Sequence, residues 1–144
     1  MEVKIINRGG CESPAYATSG ASGLDIRAAL PQSITLQPME RKLIPTGLYM
    51  ELPSGYEAQI RPRSGLALKQ GLTCLNTPGT IDSDYRGEIK VLLINLSDEA
   101  QQLQHNDRIA QMVISKVEHA ELLVVQQLNN SDRGDGGFGH TGIK

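Results

Sequence analysis

Tryptophan is absent from this chain of 144 residues, and only five side chains are aromatic: Tyr16, Tyr49, Tyr56, Tyr85 and Phe138. The core must therefore be aliphatic, and each ring becomes individually informative. Cysteine is nearly absent too. Cys11 and Cys74 are too few for a disulfide framework, and no C-x-x-C spacing offers a structural metal site. Basic charge is not in excess: 14 lysines and arginines stand against 16 aspartates and glutamates, a formal net charge of −2. A non-specific nucleic-acid binder needs a basic face, so nucleic acid is not the expected partner. Any anionic ligand must be held by a few placed arginines. Long hydrophobic runs are missing as well, and the opening MEVKIINRGG is not signal-like. These absences lead to the expectation of a soluble, reduced, cytoplasmic protein with no membrane partner, and the length fits one domain with a real core.

What is present is mostly short and strand-like. Runs over Val3–Ile6, Ser33–Leu36, Lys42–Leu52, Tyr56–Ile60, Glu88–Leu96, Arg108–Val117 and Glu121–Leu128 are separated by turn clusters such as Asn7–Gly10, Leu52–Gly55 and Asn95–Glu99. In the fifth run both Ile89/Val91/Leu93 and Lys90/Leu92/Ile94 are mostly apolar, which predicts a strand covered on both faces. No window sustains an i, i+3, i+4, i+7 stripe of helical length. The one helical candidate is Gly65–Gln70, with Ser64 as N-cap and Gly71 as its stop. The pattern predicts a single all-β domain with one short helix, folded as a sandwich or barrel. Composition breaks only after residue 128, so the chain divides into a domain over 1–128 and a tail over 129–144. The tail, NNSDRGDGGFGHTGIK, holds five of the fifteen glycines. It has little to bury and is costly to order. It is either a frayed terminus or a lid that orders over a nucleotide, with Arg133 pairing a phosphate and Phe138 stacking on a flat ring.

Four further stretches carry polar residues of chemical interest, each with a plain structural alternative. In RPRSGLALKQG, a helix N-terminus at Ser64–Gly65 beside Arg63 would stabilise a phosphate; the alternative is a capped helix with a surface arginine. In NTPGTIDSDYRGEI, Asn76 can offer a donor and an acceptor to a pyrimidine edge. In the same stretch Asp82 and Asp84 suggest a general base or water-mediated ligands of Mg2+, or else a hairpin tip with two solvated carboxylates. In SGASGLDIRA, Asp25 is a turn residue or a second carboxylate near a metal. In DRIAQMV, Arg108 and Gln111 interrupt an apolar run, and an inward glutamine needs partners.

Together ATSGASGLDIRA, PRSGLA, NTPGTIDSDYRGEI, DRIAQM and RGDGGFGHTG, in that order over most of the chain, resemble the five motifs of the trimeric dUTPases, the deoxyuridine 5′-triphosphate nucleotidohydrolases. Each motif is weak alone, but the full set is very specific. The resemblance implies a β-clip, or jelly-roll-like, subunit and a homotrimer with exchanged C-terminal tails. Three active sites would lie at subunit interfaces. It also implies Mg2+-assisted hydrolysis of dUTP to dUMP and pyrophosphate, which supplies dUMP for thymidylate synthesis and keeps uracil out of DNA.

Carried over by position, Asp82 would be the general base. Arg63, Ser64 and Gly65 would hold the phosphates, Gln111 would contact the phosphate chain, and Asp25 would stand behind Mg2+ through water. Asn76 and the backbone of Gly79, Thr80 and Ile81 would read uracil, with Tyr85 under the deoxyribose and Lys90 lining the same pocket. The tail would close with Arg133 on the γ-phosphate, Phe138 over the uracil, and Gly139, His140 and Thr141 along the phosphates. His140 stands where many relatives have serine, and Met112 where leucine is commoner. The nearest rival, a dCTP deaminase, shares the hairpin but places a glutamate where this chain has Leu92. A non-catalytic nucleotide-binding protein on the same scaffold is the rival from another class; it would be expected to lack Asp82 or Arg133, and both are present.

Overall fold

A computed structural model describes residues 1–137. Its elements run β1 (Lys4–Asn7), β2 (Leu24–Arg27), β3 (Ile34–Leu36), β4 (Arg41–Glu51), β5 (Tyr56–Arg61), α1 (Ser64–Gln70), β6 (Leu72–Cys74), β7 (Gly79–Ile81), β8 (Ile89–Asn95), β9 (Gln101–Leu103) and β10 (Arg108–Lys116). The strands form two four-stranded sheets, ordered β1-β4-β8-β6 and β2-β10-β5-β7, and a ribbon of β3 with β9. Every strand pairing is antiparallel. The inner faces of the two sheets and the ribbon meet in one aliphatic core, the jelly-roll-like sandwich the sequence led us to expect. Ile44 of β4, Val91 and Leu93 of β8, Ile26 of β2, Ala110 of β10 and Leu36 of β3 are all completely buried. In β8 the Ile89/Val91/Leu93 face is buried, while Lys90 on the other face is exposed and Ile94 is buried again. Burial also pushes the Cys74 thiol up to about 11, which keeps it protonated.

One buried polar residue ties the sheets to the ribbon. Asn95 is fully buried; its Nδ2 donates to the Leu36 carbonyl at 3.0 Å and the Glu99 carbonyl at 2.8 Å. Its Oδ1 accepts from the Ser97 N–H at 2.9 Å and the Ser97 hydroxyl at 2.7 Å. Asn95→Ala takes the donor from the buried Leu36 carbonyl and empties a fully buried site, while Ser97 and Glu99 lie nearer solvent and keep their own hydrogen bond, so we expect a loss of about 3 kcal/mol. At fixed protein concentration the melting temperature should drop by roughly 10 °C; a drop under about 3 °C would show that water replaces the amide.

Two expectations need correction. The helix starts at Ser64, so the N-cap is Arg63, extended at φ −93° and ψ 126° and making no side-chain cap bond. The stop is as expected: Gly71 is left-handed at φ 63° and returns its N–H to the Leu66 carbonyl. The expected strand over Glu121–Leu128 does not form. That stretch lies outside every strand and is wholly exposed, with Leu122, Leu123, Val124 and Leu128 each more than 80% accessible. A strand needs an edge to pair with, and among the described residues this segment finds none.

Candidate active site

The first group of polar residues gathers where β2, β10 and the end of β5 lie side by side. The register sets Asp25 opposite Gln111 and Gln111 opposite Arg61. Asp25 Oδ1 lies 3.1 Å from Arg63 Nε, and Oδ2 lies 3.2 Å from Arg108 Nη1. Arg63 also donates to the Arg108 carbonyl at 3.0 Å. One carboxylate thus orients two arginines, which leaves their remaining N–H groups in a fixed fork for an anion. A cavity of about 250 Å³ opens beside them, lined by Arg63, Leu66, Gln70, Asp107 and Arg108 among others. Ser64 and Gly65 are exposed at the uncapped start of α1. Gln111 donates Nε2 to the Pro62 carbonyl at 3.0 Å, so the backbone meets part of the need that its place in an apolar strand creates. Gly23 is what makes room for it: a Cβ there would lie 2.5 Å from Gln111 Oε1.

The second group is built by the turn from Ile81 to Glu88. A cavity of about 440 Å³ is lined by Leu43, Thr80, Ile81, Asp82, Tyr85, Glu88 and Lys90. The turn closes through Tyr85 N–H to the Asp82 carbonyl at 3.2 Å. The Tyr85 hydroxyl donates to the Glu88 carbonyl at 3.0 Å, which folds the ring back against Gly87. Asn76 stands beside Gly79, where a Cβ would lie 3.1 Å from its Nδ2.

The two groups stand apart within one chain. Ile81 pairs with Ala58 and Ala58 with Ile114, three residues beyond Gln111 along β10, with β5 intervening. At about 3.3 Å per residue and 4.8 Å per strand, Asp82 falls roughly 14 Å or more from Gln111, and further still from Asp25. Motif order in the sequence carried no hint of this separation. Arg133 is exposed, its Nε donating to the Gly136 carbonyl at 2.7 Å. Phe138, Gly139, His140 and Thr141 lie outside the described residues. Leu43 and Glu88 line the larger cavity and Gly23 makes room for Gln111; the sequence reading singled out none of the three. Glycine and glutamate in a turn are ordinary, so only the packing around them gives them away.

Comparison with known proteins bears on the family and the fold. The dUTPase family profile matches residues 10–142. The chain is 54% identical over 142 residues to the deoxyuridine 5′-triphosphate nucleotidohydrolase of Fusobacterium nucleatum, covering 99% of this chain and 97% of that one. The dUTPase of Staphylococcus bacteriophage 80alpha, solved with dUPNHPP, superposes with a TM-score of 0.89 at 24% identity over 99% of both chains. The D95N dUTPase of phage phi11, whose structure describes the coordination of a structural Mg(II) ion, superposes with a TM-score of 0.80 at 21% identity, covering 90% of this chain and all of that one. The phage structures share the fold, while the profile match and the bacterial relative reach further: the chain belongs to the dUTPase family.

Proposed function

We propose that this protein hydrolyses dUTP to dUMP and pyrophosphate at sites assembled between the subunits of a homotrimer. The observation that carries the proposal is the division of the site residues into two separated groups. Asp82 with Tyr85 makes a nucleoside pocket without a phosphate cradle, and Arg63 with Arg108 and Gln111 makes a cradle without a base. Each is the half that the other lacks. The exposed Leu122, Leu123, Val124 and Leu128 support tail exchange, since a stretch so apolar is normally covered by a partner.

The chemistry follows from the groups present. Asp82 takes a proton from a water whose oxygen forms the new bond to the α-phosphorus; the bond to the bridging oxygen breaks and pyrophosphate leaves. Arg63, the start of α1 with Ser64 and Gly65, and Gln111 neutralise and aim the phosphates. Asn76 with the backbone of Gly79, Thr80 and Ile81 reads the uracil edge, and Tyr85 walls off a 2′-hydroxyl. Arg133, Phe138, Gly139, His140 and Thr141 close the site and exclude water. Among the described residues no cluster of three metal-ligating side chains exists, and Asp25 already has both oxygens on arginines. That donor set fits a Mg2+ held mainly by substrate phosphates and its own waters, with Asp25 one water removed. When bound, the ion would supply charge neutralisation on the phosphates. No described helix is long and apolar enough to cross a membrane, and the unpaired thiols Cys11 and Cys74 support a reducing, cytoplasmic setting.

Turnover with dUTP, dCTP, dTTP and UTP, scored for pyrophosphate and ammonia, tests the reading. Pyrophosphate from dUTP far above the other three is expected; ammonia from dCTP, or no turnover of dUTP, would contradict it. Gly23→Ala gives a finer check. The added methyl must displace the Gln111 amide, so kcat/KM for dUTP should fall about tenfold or more with the fold intact. Unchanged kinetics would remove Gln111 from the phosphate path.

A further inference from the structure

Glu88 is the residue immediately before β8, and its side chain is only 21% exposed. A carboxylate withdrawn from water to this degree needs both a counter-charge and hydrogen bonds, and it has both. Oε1 accepts from the Gly47 N–H at 2.9 Å, and Oε2 lies 3.5 Å from Lys90 Nζ. Gly47 sits in the bulge of β4, where the pairing with β8 shifts between Pro45 and Leu48, and its φ of +66° suits glycine. The carboxylate therefore fastens the Ile81–Glu88 turn to an irregular point of the neighbouring strand. The main chain of the same residue holds the ring: the Tyr85 hydroxyl donates to the Glu88 carbonyl at 3.0 Å. The ring lies so close to Gly87 that a Cβ there would stand 2.3 Å from the hydroxyl oxygen. Lys90 and Tyr85 line the same cavity as Asp82.

We infer that Glu88 is a positioning residue: anchored on Gly47, it sets where the Lys90 ammonium and the Tyr85 ring stand in the nucleotide pocket. It does not contact the nucleotide itself, because both of its oxygens are engaged and a free carboxylate would repel phosphate. The inference rests on the proposed dUTPase activity in taking the occupant of the pocket to be dUTP. Glu88→Gln keeps an oxygen for the Gly47 N–H but removes the charge facing Lys90. Glu88→Ala removes the anchor as well. The two variants therefore separate the two duties.

The test is a double-mutant cycle on steady-state kinetics with dUTP: the parent, Glu88→Gln, Lys90→Ala and the pair together. Glu88→Gln should raise KM about fivefold while changing kcat less, and in the Lys90→Ala background it should change KM by under about twofold. Glu88→Ala should in addition relax the preference for dUTP over UTP by about tenfold, a preference that Glu88→Gln retains. A Glu88→Gln protein with the KM of the parent, or the same multiple in both backgrounds, overturns the inference. So does unchanged selectivity in a folded Glu88→Ala protein. If Glu88→Ala does not fold, the cycle on the other four proteins decides alone. An additive cycle in an enzyme that hydrolyses dUTP removes only the role of Glu88, whereas a parent that leaves dUTP intact removes the functional reading and this role together.

Discussion

Asp82→Asn should still bind dUTP yet release pyrophosphate at least about 10³-fold more slowly than the parent. The amide keeps the shape and most of the hydrogen bonding of the carboxylate but cannot take a proton, and general-base catalysis is commonly worth about 10²–10⁴. The carboxylate lines the cavity of about 440 Å³ beside Tyr85 and Lys90, where a bound nucleoside would bring the α-phosphorus within reach. Equilibrium binding of a non-hydrolysable dUTP analogue separates lost chemistry from lost binding. Turnover within about tenfold of the parent, a barrier change near 1.4 kcal/mol, would place the base elsewhere.

Removal of residues 129–144 should give a folded trimer with kcat/KM reduced by about 10³, the lower end of what a phosphate-directed arginine contributes. The two halves of the expectation have separate causes. None of residues 129–137 is buried, so the described part of the tail adds little to the core, and the melting temperature should barely move. Arg133 and Phe138, in contrast, are asked to act in the closed complex. A truncated chain that unfolds, or one that keeps full activity, contradicts the lid in opposite ways.

How far the sequence could be read depended on segment length and on partners. β4, β5, β8 and β10 were legible because six or more residues each show a burial pattern that a strand can repeat. β6 and β7, at three residues each, are too short to show a period and exist because the longer β8 and β5 offer them edges, while β9, missed as well, pairs only with the equally short β3. Glu121–Leu128 has the apolar pattern of a strand, but a pattern cannot say which chain supplies the edge, and among the described residues its own does not. The candidate site residues were legible only as a set of five motifs in order, since each stretch alone has a plain structural alternative. Their division into two groups was not, because it depends on the register that sets Gln111 against Arg61 and Ile81 against Ala58.

Complementation between two inactive chains tests most directly whether one site draws on more than one subunit. Asp82→Asn subunits and subunits truncated after residue 128 are dissociated, mixed in equal amounts and reassociated. If Asp82 and the closing tail of one site come from different chains, every mixed trimer of either composition has one intact site in three under cyclic closure. Random assembly makes about three-quarters of the trimers mixed, so roughly a quarter of the parent activity should return. If both elements came from the same chain, no arrangement could restore a site. Activity near zero, with subunit exchange confirmed by native mass measurement, would contradict the shared site.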